Sequence, residues 1–155
     1  SKAPDVISEF GDEDLSKWPF WQRGVAYRTR GRAFFILKDG ESAESDLTKA
    51  LPWIADPRAL DSAWLALAQN RERNLDDAAG ALSAYKEIVE GDESIGGADQ
   101  FNALQGIARI LTARGEFDEA LSTLNRAKPE KLQGTWQTNI LKSIDGVNEA
   151  RKAAK

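Results

Sequence analysis

The chain has 155 residues, 41% hydrophobic and 30% charged, enough apolar material for one domain if the polar residues take the outer faces. Its 25 acidic and 21 basic residues leave a formal net charge of −4, which argues against nucleic-acid binding through a broadly basic surface. It contains no Cys and no His, which removes disulfides, thiolate chemistry, the usual zinc ligands and histidine general bases together.

The first seventeen residues are mostly polar: Asp5, Glu9, Asp12, Glu13 and Asp14 stand against Lys2 and Lys17. Only Val6, Ile7, Phe10 and Leu15 offer much apolar surface to offset ordering, so most of this stretch is expected to be extended or mobile. Trp18-Pro19-Phe20-Trp21 follows. Three large aromatics around a proline are expected to cover the open end of the first helix pair, with an adhesive patch for a partner as the functional alternative.

From Trp21 to Leu37, apolar residues at Val25, Tyr27, Phe34, Phe35 and Leu37 recur at helical spacing. Lys38-Asp39-Gly40 ends that helix, and Gly40 is the residue expected in the left-handed conformation. A second helix runs from Ser42 to Leu51 with Ala43, Leu47 and Ala50 on one face. Pro52 and Pro57 bracket a loop. A third helix spans Leu60 to Arg73 with Trp64, Leu67, Ala68 and Arg71 on one stripe. Asn74 serves as a turn residue, and Asp76 and Asp77 favour the start of a fourth helix, Ala78 to Val89, through the macrodipole. Gly91 to Gly97 reads as a loop by its glycines and charges. Gln100 to Arg114 is a fifth helix and Phe117 to Ala127 a sixth, closed by Pro129. Trp136 to Ala154 is a seventh, with Trp136, Ile140, Ile144 and Val147 on one face. Sustained period-two alternation is absent, so no strand is expected.

The helices repeat. With an offset of 77 residues, Tyr27, Gly31, Phe34, Ala43, Leu47 and Ala50 fall opposite Leu104, Ala108, Leu111, Ala120, Leu124 and Ala127. A middle copy, Trp64, Leu67, Ala68, Ala81, Tyr85 and Ile88, fits with one extra residue at its turn. Small residues at Gly31, Ala68 and Ala108, and at Ala43, Ala81 and Ala120, would let paired helices approach closely. Gly115-Glu116-Phe117 followed by Ala120, Leu124, Ala127 and Pro129 completes the pattern in the third copy.

These residues resemble the tetratricopeptide repeat (TPR) family over roughly Val25 to Pro129. The family repeats every 34 residues, whereas Ala43, Ala81 and Ala120 are 38 and 39 apart. The surplus falls in the connections. HEAT-type repeats, the alternative, come nearer in period but do not predict the small-residue pattern. The resemblance implies an all-α fold: a right-handed superhelical solenoid of three TPR-like helix pairs (21–133) after a polar N-terminal segment (1–20), closed by a C-terminal capping helix (134–155). Trp136 and Ile140 would cover the third pair, with Lys142, Glu149, Arg151 and Lys152 facing water.

In the family, the first helices of each pair line a concave groove. Aligned onto this chain, Arg32, Gln69 and Arg109 form one column, Arg28, Leu65 and Gln105 a second, and Val25, Ser62 and Asn102 a third. Such a groove implies a protein-protein interaction or scaffolding module for a polypeptide partner, suited by its arginines and amides to Asp, Glu or a free carboxylate. The family's chaperone-tail clamp of Lys, Asn, Asn, Lys and Arg is not reproduced: its places hold Arg28, Arg32, Ala66, Asn102 and Gly106. Arg28 and Arg32 have a plainer reading as solvated or locally paired arginines, the acidic stretch Glu41 to Asp46 supplying partners. The rival function is a structural, self-associating assembly subunit that uses Trp18, Phe20 and Trp21 as a contact patch.

Catalysis is not expected. The carboxylates Asp76 with Asp77, and Glu116 with Asp118 and Glu119, stand at helix starts, where they offset the dipole. Gly96-Gly97 lacks the Lys-Ser/Thr of a phosphate loop. No cofactor or metal is expected. No apolar run approaches the roughly 20 residues needed to span a bilayer. The start at Ser1-Lys2-Ala3-Pro4, without Met, suggests trimming or processing. A cytoplasmic place fits the composition, and so does a periplasmic or secreted one after removal of a signal peptide.

Overall fold

Side-chain caps and prolines set most of the helix starts in the computed structural model, which describes residues 2–90 and 95–155. Eight α-helices and three short 3-10 turns account for most of them, and no strand occurs among the described residues. The chain divides into two compact units, the first ending at Ala84 and the second beginning at Tyr85.

The first unit holds α1 (Ala3–Phe10), α2 (Phe20–Ile36), α3 (Gly40–Ala50), α4 (Pro57–Arg73) and the start of α5 (Ala78–Val89). Asp39 caps α3 by accepting from the Ser42 N–H at 3.2 Å, Asp56 caps α4 from Ala59 at 2.7 Å, and Asp77 accepts from Gly80 at 2.8 Å. Each satisfies an amide that the first helical turn leaves unpaired. Asp77 thus caps the start of α5, while Asp76 takes the left-handed turn position, at φ 53°.

α2 and α3 pack closely because Gly31 permits it. A Cβ there would lie 2.9 Å from Leu47 Cγ. Ala43, Leu47, Ala66 and Leu67 form the core of α3 and α4, with Phe34, Phe35, Leu51 and Trp64 around it. Burying each such leucine is worth about 1.5–3 kcal/mol. Asn70, wholly buried, donates to the Gly40 carbonyl at 2.9 Å and so ties α4 to the start of α3.

The turn between α2 and α3 differs from expectation. Gly40 is the first residue of α3, and Lys38 carries the positive φ of 64°. Gly40 is needed for another reason: a Cβ would sit 2.7 Å from Leu75 Cδ2.

The N-terminal segment also differs. It forms α1 and a 3-10 turn, Leu15–Lys17, rather than extended chain. Leu15 is buried with Tyr27 and Ala50, and Trp18, Ala26 and Ile54 pack against that cluster. Pro4 and Asp5 in the first turn of α1 favour its start. Its end is fixed from a distance by Arg30, described below.

The second unit holds the rest of α5, α6 (Ala98–Ala113), α7 (Phe117–Asn125) and α8 (Gly134–Ala153). Gln100 ties down the start of α6, accepting from the Gly96 and Gly97 amides at 2.9 and 3.1 Å. Gly106 lies against Tyr85, whose ring a Cβ would approach to 2.5 Å. The α6–α7 turn has Gly115 at φ 78°, with the Glu116 N–H donating to Leu111 at 2.9 Å. This is the geometry of the α2–α3 turn, where the Asp39 N–H donates to Phe34 at 3.0 Å. α8 covers α6 and α7: Trp136 packs on Phe101 with ring centroids 5.1 Å apart, and Ile140 and Val147 are buried. The loop expected at Gly91 to Gly97 falls partly outside the described residues.

Candidate interaction face

α2 (Phe20–Ile36) positions most of the candidate site. It carries Arg23, Arg28, Arg30 and Arg32 and no acidic residue. At 100° per residue, Gly24, Tyr27 and Gly31 fall on the side that meets α3 and the 3-10 turn Leu51–Trp53, where a Cβ at Gly24 would touch the Trp53 carbonyl at 2.8 Å. Arg30 is buried between α3 and the end of α1, and Ala33, also buried, lies about 60° round the helix from it. Arg28 Nη1 donates to the Ala59 carbonyl of α4 at 3.4 Å, and Phe35 accepts from Asn74 at 3.2 Å, so a third side meets α4.

One arc remains open. Trp21 is 67% exposed, Val25 59% and Ile36 53%, and Arg32 lies exposed between them. These four residues fall within about 60° of one helical face and extend over about 22 Å, with half-buried Arg28 at the edge of the arc toward α4. Beside this arc is a cleft of about 360 Å³ lined by Val6 and Phe10 of α1, by Leu15 and Trp18, and by Trp21, Gln22, Val25, Ala26, Thr29 and Arg30.

Arg30 holds the floor of the cleft together. Its Nε and Nη2 donate to the two Asp46 carboxylate oxygens at 2.6 and 2.9 Å. Its Nη1 donates to the backbone carbonyls of Phe10 at 2.9 Å, Gly11 at 3.3 Å and Glu13 at 2.6 Å. One guanidinium therefore caps the C-terminal end of α1 and neutralises a buried carboxylate of α3. The hydrogen bond to Asp46 raises the Arg30 pKa above its already high ordinary value, against the opposing effect of burial.

The expected groove residues separate on inspection. Arg28 and Arg32 share one face of α2, but Arg28 is half-buried against α4, leaving Arg32 as the open cation. Leu65 and Gln69 of α4 are half-buried in the same unit. In the second unit Asn102 is half-buried and Arg109 exposed. Gln105 is held by α8: its Nε2 donates to Ser143 Oγ at 2.9 Å and to the Asn139 carbonyl at 3.4 Å. It acts as a tie between α6 and α8 because the capping helix lies across its side of α6.

The aromatic cluster divides too. Trp18 turns inward, edge-on to Phe10 with centroids 5.8 Å apart, and closes the cleft. Phe20 and Trp21 do not cover the helix end as expected. They form an edge-to-face pair at 5.1 Å, and Phe20 is 64% exposed. By charge alone Arg30 is indistinguishable from the other arginines of its helix. The helical wheel held the signal: Arg30 lies opposite Arg28 and Arg32, on the side of Tyr27 and Ala33.

Among the described residues, no group of three or more acidic side chains could hold a metal ion, and no helix is long and apolar enough to cross a membrane. Compared with protein-family models, curated proteins and solved structures, the chain matches none.

Proposed function

We propose that this protein is a protein-interaction module, built from TPR-like helix pairs, that holds a polypeptide partner against the open face of α2. The observation that carries the reading is the row Trp21, Val25, Arg32 and Ile36, large side chains left in water along one face of a helix whose other sides are packed. Exposed apolar residues scattered singly need no explanation, but a contiguous row beside an apolar cleft marks an interaction surface. The matching turns at Lys38 and Gly115, 77 residues apart, support the repeat character of the helix pairs.

The test is Trp21→Ala with Val25→Asp. Both positions are exposed, so the variant should keep the helical circular dichroism and melting temperature of the parent. It should also lose a partner captured by the parent, with affinity at least about tenfold weaker. Unchanged capture would refute the assignment of this face. Self-association is the second reading, favoured by the exposed Phe20–Trp21 pair. It predicts a defined oligomer in sedimentation that dissociates on Trp21→Ala, whereas partner binding predicts a monomer.

A further inference from the structure

The cleft and the arginines of α2 together specify the chemistry of an occupant. We infer that this face takes an amphipathic helix that inserts a large apolar side chain between α1 and α2 and sets acidic residues against Arg32 and Arg28. The inference rests on the interaction reading above and narrows it to one class of partner.

Shape is the first argument. The open arc is straight and about 22 Å long, the length of four helical turns. The cleft at its Trp21–Val25 end is walled by Val6, Phe10, Leu15 and Trp18. At about 360 Å³ it lies within the range of ordinary ligand pockets. A helix laid along α2 presents a side chain to the cleft and others at one-turn intervals beyond it. The chain already contains one such arrangement, since α1 seats Val6 and Phe10 beside the same helix.

Charge is the second argument, and it chooses the occupant. The four arginines of α2 have no acid on their own helix to balance them. Arg30 is engaged by Asp46 and three carbonyls. Arg23 donates to the Trp18 carbonyl and lies over the Trp53 ring. Arg28 makes one long contact to a carbonyl. Arg32 makes no hydrogen bond or ion pair among the described residues. A face with apolar ends and a cationic middle is complemented by a segment with apolar residues flanking Asp or Glu. A two-fold contact with a second copy would place this cationic middle against itself, which opposes it.

Three fluorescein-labelled helical peptides test the inference by anisotropy. The first carries Phe and Leu one turn apart, with Glu one and two turns beyond the Leu. The second has Lys for both Glu, and the third has Ser for the apolar pair. Wild-type protein should bind the first at least about tenfold more tightly than either of the others. Arg32→Glu should reverse the order of the Glu and Lys peptides, and Val25→Asp should weaken both. The preference should shrink as salt rises.

Binding that is indifferent to peptide charge, or a preference that survives Arg32→Glu, overturns this inference and leaves the interaction face standing. Peptide binding untouched by Val25→Asp overturns both, as does failure of every peptide to saturate. Vesicles of phosphatidylcholine with phosphatidylserine form the control. Sedimentation with them that depends on Trp21, without peptide binding, would assign the face to a lipid surface instead.

Discussion

Arg30 and Asp46 show how one pair of residues organises a whole end of the first unit. Both side chains are nearly inaccessible, 11% and 4% exposed, and every guanidinium nitrogen has an acceptor. A buried ion pair need not be worth more than a well-packed apolar pair, but removing one partner leaves the other charge buried and unbalanced. Arg30→Ala or Asp46→Ala should therefore destabilise the protein by about 3–5 kcal/mol, read as a lower urea midpoint. Arg30→Lys keeps the charge yet cannot reach two carboxylate oxygens and three carbonyls at once, so it should recover only part of the loss. Full recovery would show that charge alone matters. Alkaline pH is not a substitute for mutation. The folded pKa of Arg30 is raised, so its contribution is fully present below the unfolded pKa. It would be lost only as pH rises through a value above the ordinary arginine range.

At the scale of elements, α1 is the informative case. Eight residues are too few to be stable as an isolated helix in water. It exists by docking: Ala3 is buried, Val6 and Phe10 line the cleft, and Arg30 donates to the last carbonyls. Its weak local signal explains why it was illegible as a helix. The acids of the segment dominate its composition, and the residue that holds it lies twenty positions away from Phe10. The seven longer predicted helices were legible because their apolar spacing, caps and prolines are local. Their ends shifted by only a few residues, as where Pro57 begins α4 in place of Leu60. The candidate site was legible in part: Arg32 and Trp21 stayed exposed, whereas Trp18 and Gln105 were taken up by packing that no local pattern records. Because α1 depends on the Arg30 contact, Asp46→Ala should abolish amide protection over Val6–Phe10 in hydrogen exchange while protection in α6 persists. Equal loss in both would show that α1 does not open separately.

On the scale of the whole molecule, the same tight turn is built twice from different residues. Lys38 and Gly115 both take the left-handed conformation, at φ 64° and 78°, and the residue after each donates its N–H back to the preceding helix. The two turns, 77 residues apart, thus share their backbone geometry, although only the second uses glycine at the left-handed position. For a side-chain-bearing residue the left-handed region costs roughly 1–2 kcal/mol, while glycine there loses roughly 0.5–1 kcal/mol through its greater freedom when unfolded. Steric relief is the larger effect. Lys38→Gly should accordingly stabilise the protein by about 0.5–1 kcal/mol, and Gly115→Lys should destabilise it by a similar amount. Both positions are exposed, and nothing lies within 4 Å of a Cβ built at Gly115, so packing should not obscure the result. Urea denaturation of the two variants and of the double exchange decides the matter. Opposite signs that nearly cancel in the double variant would mean that the two turns are energetically equivalent. A shared sign would mean that the resemblance between them stops at backbone geometry.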